Sequence, residues 1–157
     1  MTGDYAEALY NLAQTLRERG ELEEALESFQ NVVKIAHDFP EGHNDLSALL
    51  LDLERHQEAI DGFQRAIALR PEFAEAHSNL GNAYTELGQM DEAIASYQKA
   101  LAIRSDLGDV HSNLGNALWE TGKLGDSIDS FRKALAIQPN DGKTHHSMGI
   151  TLLDSGK

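Results

Sequence analysis

The sequence of 157 residues has no cysteine, only three prolines and no long apolar run. Without cysteine there is no disulfide framework, no thiolate zinc site and no cysteine nucleophile. The longest uninterrupted apolar stretches, such as residues 48–51, have four residues, whereas a membrane helix needs roughly 18. These absences exclude disulfide-rich scaffolds, cysteine enzymes and membrane-spanning helices, and we expect a cytoplasmic protein.

Positively charged residues are scarce too, since 13 lysines and arginines face 26 aspartates and glutamates and leave a formal net charge of −13. Phosphate groups would meet mostly carboxylates, which opposes binding to nucleic acid or to anionic lipid. The composition therefore predicts a protein or peptide partner that is basic or neutral, and no nucleic acid or membrane partner.

The chain is built from an internal repeat of 34 residues. Residues 74–83, AEAHSNLGNA, recur as GDVHSNLGNA at residues 108–117, and QKALAI at residues 98–103 recurs as RKALAI at residues 132–137. Extending this register predicts repeats over residues 6–39, 40–73, 74–107 and 108–141, with a partial repeat over residues 142–157.

Each repeat carries two stretches with apolar residues at helical spacing, which predicts an all-α fold of helical hairpins. Gly88 is expected to end the first helix of its repeat, and Asp91 to cap the second. Pro71 and Pro139 are expected to stop second helices, because proline lacks the amide donor.

The small and large residues of these repeats resemble those of the tetratricopeptide-repeat (TPR) family. The leucine site of the first helix holds Leu12, Leu46, Leu80, Leu114 and Met148. The small site next to it holds Ala13, Ser47, Gly81, Gly115 and Gly149. The close crossing between the two helices holds Ala25, Ala59, Ala93 and Ser127 on the second helix. The resemblance implies a right-handed α-solenoid of four full repeats and a first-helix half repeat, forming one domain over residues 1–157. Glu54 replaces the turn glycine of the other repeats and is expected to loosen that turn.

In this family the first helices line the concave side of the solenoid, so the resemblance also implies which residues bind a peptide. Two inward sites carry mostly amides, namely Asn11, Asp45, Asn79 and Asn113 at one, and Asn82 and Asn116 at the other. Asparagine can pair with both the C=O and the N–H of an extended peptide. The array is similar to the superhelical TPR domains of O-linked N-acetylglucosamine transferases, which hold protein substrates with such amides. The alternative is that the amides cross-link neighbouring helices.

Charged and apolar residues refine this predicted groove. The lysines of the carboxylate clamp found in chaperone-binding TPR domains are absent, and acidic residues such as Glu75 and Asp109 are expected to select a basic segment. Tyr10, Leu51 and Trp119 are predicted apolar anchors. The alternatives are a solvated acidic face and a tryptophan packed against the adjoining first helix.

No catalytic motif is present, and we predict a chain that is not an enzyme and uses no cofactor or metal. His43, His77, His111 and His145 recur at the repeat period, but equivalent positions on packed helices lie roughly 10 Å apart, too far to share one zinc ion. They are expected to fill a site where the family often has a larger aromatic residue.

The last repeat ends after its first helix, which is expected to leave Met148 and Leu152 partly uncovered. Two further functions therefore stand beside the peptide-binding module. One is a scaffold that forms a homo-oligomer through its repeat ends by way of these two residues. The other is the substrate-docking arm of a larger enzyme such as a glycosyltransferase.

Overall fold

A computed structural model describes the backbone of residues 2–156 and the side chains of residues 5–156; Met1 and Lys157, which the predicted domain and partial repeat include, lie outside the described residues. The described residues form nine α-helices and no strand, as the periodicity predicts. The helices are α1 (Thr2–Glu18), α2 (Leu22–Ile35), α3 (Pro40–Asp52), α4 (His56–Leu69), α5 (Ala74–Glu86), α6 (Met90–Ile103), α7 (Gly108–Glu120), α8 (Leu124–Ile137) and α9 (Gly142–Asp154). The first helices are α1, α3, α5, α7 and α9, and the second helices are α2, α4, α6 and α8.

The helices fall into two compact units, unit 1 over Met1–Ala76 and unit 2 over His77–Lys157. In unit 1, α1 packs on α2, α2 on α3 and α3 on α4. In unit 2, α6 packs on α7, α7 on α8 and α8 on α9. Each unit therefore consists of helical hairpins in which a first helix contacts the second helices on either side of it.

Each unit has its own apolar core, built from the predicted stripes. In unit 1 a cluster around the fully buried Phe29 includes Ala13, Leu16 and Leu49. In unit 2 a cluster around Tyr97 includes Ile94, Leu114 and Leu118. Leu12 departs from its column, since it is 49% exposed while Leu80 and Leu114 are buried. The reason is that no described helix precedes α1 to cover it.

Small residues let the helices of one hairpin approach closely. A Cβ atom added to Gly81 would lie 2.5 Å from the ring of Tyr97, and one added to Gly115 would lie 2.6 Å from the ring of Phe131. In the second repeat Ser47 replaces this glycine, and the missing space is provided by Gly62 on α4, where an added Cβ would lie 2.0 Å from the Ser47 hydroxyl. In this repeat the glycine that allows the close approach therefore lies on the second helix and not on the first.

The turn inside each hairpin requires a residue with positive φ. Gly20, Gly88 and Gly122 have φ between 70° and 79°, and Glu54 adopts the same conformation at 59°. The turn hydrogen bonds are also kept, because Arg55 N donates to Leu50 O at 2.9 Å. The expectation that Glu54 loosens its turn is therefore wrong, since the backbone hydrogen bonds of the turn hold it in the left-handed region.

Between hairpins, the second helices end at equivalent residues with or without proline. The helices α4 and α8 end two residues before Pro71 and Pro139, and α2 and α6 end at the matching positions. A recurring contact joins this turn to the next first helix, because the Nε2 atoms of histidines lie 2.8–3.0 Å from carbonyl oxygens six residues earlier. These pairs are His43 with His37, His111 with Ser105, and His145 with Pro139.

Helix capping differs from the expectation for Asp91. The helix α6 begins at Met90 after Gln89, which makes no capping hydrogen bond, and Asp91 lies inside the first turn with its carboxylate 3.4 Å from Lys123. Asp91 is therefore not a cap. The carboxylate of Asp141 does cap a helix, accepting from the backbone N–H groups of Lys143 and Thr144 at the start of α9. Among the described residues, no helix combines the length and apolar character needed to cross a bilayer.

Candidate functional site

The first helices of unit 1 are joined through Asp45. Its Oδ2 accepts from the hydroxyl of Tyr10 at 2.6 Å and from Nε2 of Gln14 at 3.3 Å, while its Oδ1 accepts from Nδ2 of Asn44 at 3.0 Å. A carboxylate offers about four acceptor sites, so three of them are in use. Asp45, predicted as a peptide-binding residue, thus fastens α1 to α3.

The same face of unit 1 continues towards the start of α5. Asn44 is almost fully buried, and its Nδ2 also donates to Oε1 of Glu75 at 3.3 Å. Glu75 remains exposed at the helix start, Leu51 is half-buried on α3, and Asn11 is exposed on α1. Of the predicted peptide-binding residues of unit 1, Asn11 and Glu75 are therefore exposed, beside the part-buried hydrogen bonds of Asp45.

In unit 2 the equivalent position of α7 carries an amide. Nδ2 of Asn113 donates to Oδ1 of Asn82 at 3.1 Å, and the hydroxyl of Tyr97 donates to the same oxygen at 2.9 Å. The described residues provide no partner for Nδ2 of Asn82 or for Oδ1 of Asn113. Asn116, one turn further along α7, is half-buried, as is Asn79, and Asp109 is exposed. The Asn82–Asn113 pair thus joins two first helices and still keeps one donor group and one acceptor.

These contacts between successive first helices follow a register of their own. The partners lie 35 residues apart in Tyr10–Asp45 and Trp119–Asp154, 31 residues apart in Gln14–Asp45 and Asn82–Asn113, and 32 residues apart in Ser112–Thr144. The separations of 31 and 35 differ by four residues, one helical turn. A side chain therefore bonds to a residue that lies before or after its equivalent in the next repeat, and not to the equivalent residue itself. Asp154 and Arg17 were missed in the sequence because columns were compared at a separation of 34.

Trp119 lies at the carboxyl end of α7. Its Nε1 donates to Oδ2 of Asp154 at 2.7 Å, and its side chain is 38% exposed. The equivalent pair of unit 1 is Arg17 with Asp52, also at 2.7 Å. The indole N–H is therefore used within the chain, while part of the ring faces solvent.

The exposed apolar residues of α9 differ from the two singled out in the sequence. Met148 and Leu152 are half-buried, whereas Ile150 is exposed and Leu153 is 79% exposed. Among the described residues no group of three or more histidines, aspartates or glutamates is arranged to hold a metal ion.

The pKa values of two tyrosines on these faces, Tyr10 and Tyr97, are raised. Burial raises the pKa of Tyr10, and the hydrogen bond to Asp45 raises this pKa further. Burial also raises the pKa of Tyr97, against a smaller lowering effect of its hydrogen bond with Thr85. The negative charges of Asp45, Glu41 and Glu75 all act on the Tyr10 hydroxyl in the same direction, so this part of unit 1 favours cations.

Comparison with known protein families identifies the repeats. Models described as tetratricopeptide repeat match residues 6–39 and 108–141, and a model described as TPR repeat matches residues 48–88 and 81–122. Together these matches cover most of the chain. The chain belongs to the tetratricopeptide-repeat family. A search of curated proteins found no match.

Solved structures of other TPR proteins share this fold. MamA 41-end from Desulfovibrio magneticus RS-1 has a TM-score of 0.91 and 24% identity, covering 99% of this chain and 88% of that one. TTC0263, a thermophilic TPR protein in Thermus thermophilus, has a TM-score of 0.78 and 28% identity over 94% of this chain and 81% of that one. YrrB, described as a TPR protein with an unusual peptide-binding site, has a TM-score of 0.81 and 20% identity over 94% of this chain and 76% of that one.

These likenesses show the TPR solenoid fold, and membership of the TPR family supports a protein–protein interaction module. The models that match describe repeats, and none of them describes a catalytic family. The TPR fold itself does not define a ligand, because function in such scaffolds depends on the residues of the exposed face.

Proposed function

We propose that this TPR chain is a non-catalytic module of the cytoplasm that holds an extended, basic or neutral segment of a partner protein against its first helices. The observation that carries the proposal is the Asn82–Asn113 pair of unit 2. Its shared hydrogen bond fixes both side chains, while Nδ2 of Asn82 and Oδ1 of Asn113 keep the capacity to bind one C=O and one N–H.

Further side chains on α7 extend this surface. Asn113, Asn116 and Trp119 are spaced three residues apart, so they follow one another along one side of the helix. Asn116 adds a second amide, and the exposed part of the Trp119 ring offers an apolar contact. An extended segment could thus pair its backbone with two amides and place an apolar group on the tryptophan.

Charge supports a basic segment. The chain has a net charge of −13, and the exposed carboxylates of Glu75 and Asp109 lie in the first turns of α5 and α7. Complementary charge speeds encounter and disfavours acidic partners. The peptide-binding site described for YrrB supports peptide binding as a use of this fold.

The test is selection from a random peptide display library, followed by calorimetry with the selected peptide and its variants. We expect peptides rich in lysine or arginine. Asn116→Ala should weaken their binding about three- to tenfold, the equivalent of one lost hydrogen bond, because the structure gives Asn116 no hydrogen bond to another described residue. The matched control is Asn31→Ala, which removes a half-buried amide from the second helix α2.

Equal binding by the Asn116→Ala variant and the unchanged chain would show that the amides of α7 do not hold the peptide. Selection of acidic peptides, or of none, would contradict the proposed partner class. A loss of binding in Asn31→Ala as large as in Asn116→Ala would place the site on another face of the protein.

A further inference from the structure

An arginine of the second repeat occupies a defined site within unit 1. Nη2 of Arg70 lies 2.6 Å from Oε1 of Glu41, and its guanidinium carbon lies 4.9 Å from the centre of the Phe73 ring. The guanidinium thus pairs with a carboxylate and contacts an aromatic face at the same time. Both contacts favour a cation at this place.

The first repeat keeps this carboxylate and this aromatic ring but lacks the arginine. Thirty-four residues earlier, Glu7 corresponds to Glu41 and Phe39 to Phe73, whereas Ala36 replaces Arg70. A cavity of about 490 Å³ lies at this position, between α1 and the turn before α3. Glu7, Ala36 and Phe39 all line it, so the space that the Arg70 side chain takes in the second repeat is open in the first.

The other residues that line the cavity also favour a cation. Asp38 adds a second carboxylate, Asn11 an amide, and Tyr10 a second ring, with its centre 5.1 Å from that of Phe39. Glu7 and Asp38 form no ion pair with a described residue, and no lysine, arginine or histidine among the described residues lines the cavity. Glu41 and Asp45, in contrast, already have partners within the chain.

We infer that this cavity binds the guanidinium of an arginine in the partner segment, in the way that Arg70 is bound in the second repeat. The inference rests on the proposed function in that the partner supplies the arginine. The planar guanidinium can stack on Phe39 while donating to Glu7, a combination that the compact ammonium of lysine provides less well.

The experiment is a titration followed by amide NMR shifts, with Nα-acetyl-arginine amide as the probe. We expect saturable shifts confined to the amides of residues 6–11 and 36–39. Nα-acetyl-citrulline amide has nearly the same shape without the charge, and it should bind about tenfold more weakly because it loses both the ion pair and the cation–aromatic contact.

Two variants test the placement. Ala36→Arg should supply the missing guanidinium from within the chain and abolish binding of the probe, since the backbone at Ala36 (φ −116°, ψ 70°) resembles that at Arg70 (φ −138°, ψ 91°). The control Ala95→Arg adds the same charge on an exposed position of α6 and should leave binding unchanged. Glu7→Gln should weaken binding about threefold, as expected for one exposed ion pair.

The inference is overturned if citrulline amide binds as well as arginine amide, if Ala36→Arg binds the probe as tightly as Ala95→Arg, or if the shifts lie elsewhere. A library-selected peptide that binds while the probe does not would overturn the arginine site and leave the proposed function intact. A probe that binds the cavity of a chain that selects no peptide would support the arginine site and contradict the proposed function.

Discussion

The two units use the same position of the TPR repeat in different ways. In unit 1, Asp45 is an acceptor only, and three donors of α1 and α3 converge on it. In unit 2, Asn113 is both donor and acceptor, so it bonds to Asn82 and retains its oxygen. Both side chains therefore join two first helices, but Asp45 does so only as an acceptor from several donors, whereas Asn113 does so as a donor and keeps its oxygen for a ligand.

The hairpins show a second contrast between the units. In unit 2, Gly115 on the first helix gives space to Phe131, whereas in the second repeat of unit 1 Gly62 on the second helix gives space to Ser47. Close approach needs one small residue at the crossing, and either helix can provide it. Equivalent positions in a repeat protein therefore tolerate exchange when the opposing residue changes too.

The largest expected effect comes from filling the crossing of unit 2. Gly115→Ala places a Cβ 2.6 Å from the fully buried ring of Phe131, and we expect the free energy of unfolding in urea to fall by about 3 kcal/mol, the upper range for overpacking. The control is Gly149→Ala, the same change at the same repeat position, where an added Cβ meets nothing within 4 Å. That variant should be unchanged or up to about 1 kcal/mol more stable, through helix propensity. Equal destabilisation of both variants would contradict the packing explanation.

A smaller effect is expected at the position where the units differ. Asp45→Ala removes the acceptor of three donors, and we expect the stability of the chain to urea to fall by about 2 kcal/mol. Asn113→Ala removes one amide hydrogen bond and should cost about 1 kcal/mol. If both variants lost the same stability, Asp45 would have no greater structural role than Asn113.

The turns offer a third comparison. Glu54→Gly should raise stability by about 1 kcal/mol, because a side chain in the left-handed region is strained and glycine is not. Gly122→Ala makes the reverse change in unit 2, at φ 74°, and should lower stability by about 1 kcal/mol. Thermal melting of the two variants, measured beside the unchanged chain, checks the opposite signs. A loss of stability in Glu54→Gly would mean that the glutamate side chain itself supports the turn.

The smallest effect at neutral pH concerns two tyrosines, the half-buried Tyr10 and the buried Tyr97. Their pKa values are raised in the folded chain, so folding favours the protonated phenol. This contribution is fully present below the ordinary tyrosine pKa of about 10, and it is lost as the pH rises from there towards the raised values. Tyrosinate absorbance should therefore show late titration of Tyr10 and Tyr97. Asp45→Ala should bring the pKa of Tyr10 closer to its ordinary value and leave Tyr97 unchanged; a shift of both, or of neither, would contradict the assigned cause.

Much of the fold was predictable because it follows local rules. The repeat of 34 residues, the apolar stripes and the turn glycines predicted the all-α fold of helical hairpins, and α3, α5, α7 and α9 begin at Pro40, Ala74, Gly108 and Gly142, the first residues of the predicted repeats. The expectation for Glu54 failed because propensity describes the residue alone, whereas the turn is held by its neighbours. The exposure of Leu12 was missed because burial depends on which helix covers a residue, and not on its column.

The peptide-binding residues remain predictions, and the structure changes what each of them has available for a ligand. The sequence placed asparagines and an aspartate in one column and left open that Trp119 packs against the adjoining first helix. It did not indicate that Asp45 would be surrounded by donors or that Asp154 would accept the hydrogen bond of the indole. The cavity next to Ala36 was not predicted either. The sequence does contain the difference that indicates it. The first repeat has Ala36 where the second has Arg70, while both repeats have the same glutamate and the same phenylalanine.

The sequence by itself determined the family, the helices and the spacing at which they recur, because each depends on residues close together in the chain. Only the tertiary structure decided which side chains meet, since the side-chain hydrogen bonds between first helices join residues 31, 32 or 35 apart rather than at the repeat of 34. That offset arises from the packing of one helix against the next. It determines which amides are already bonded and which keep a donor or an acceptor for another molecule.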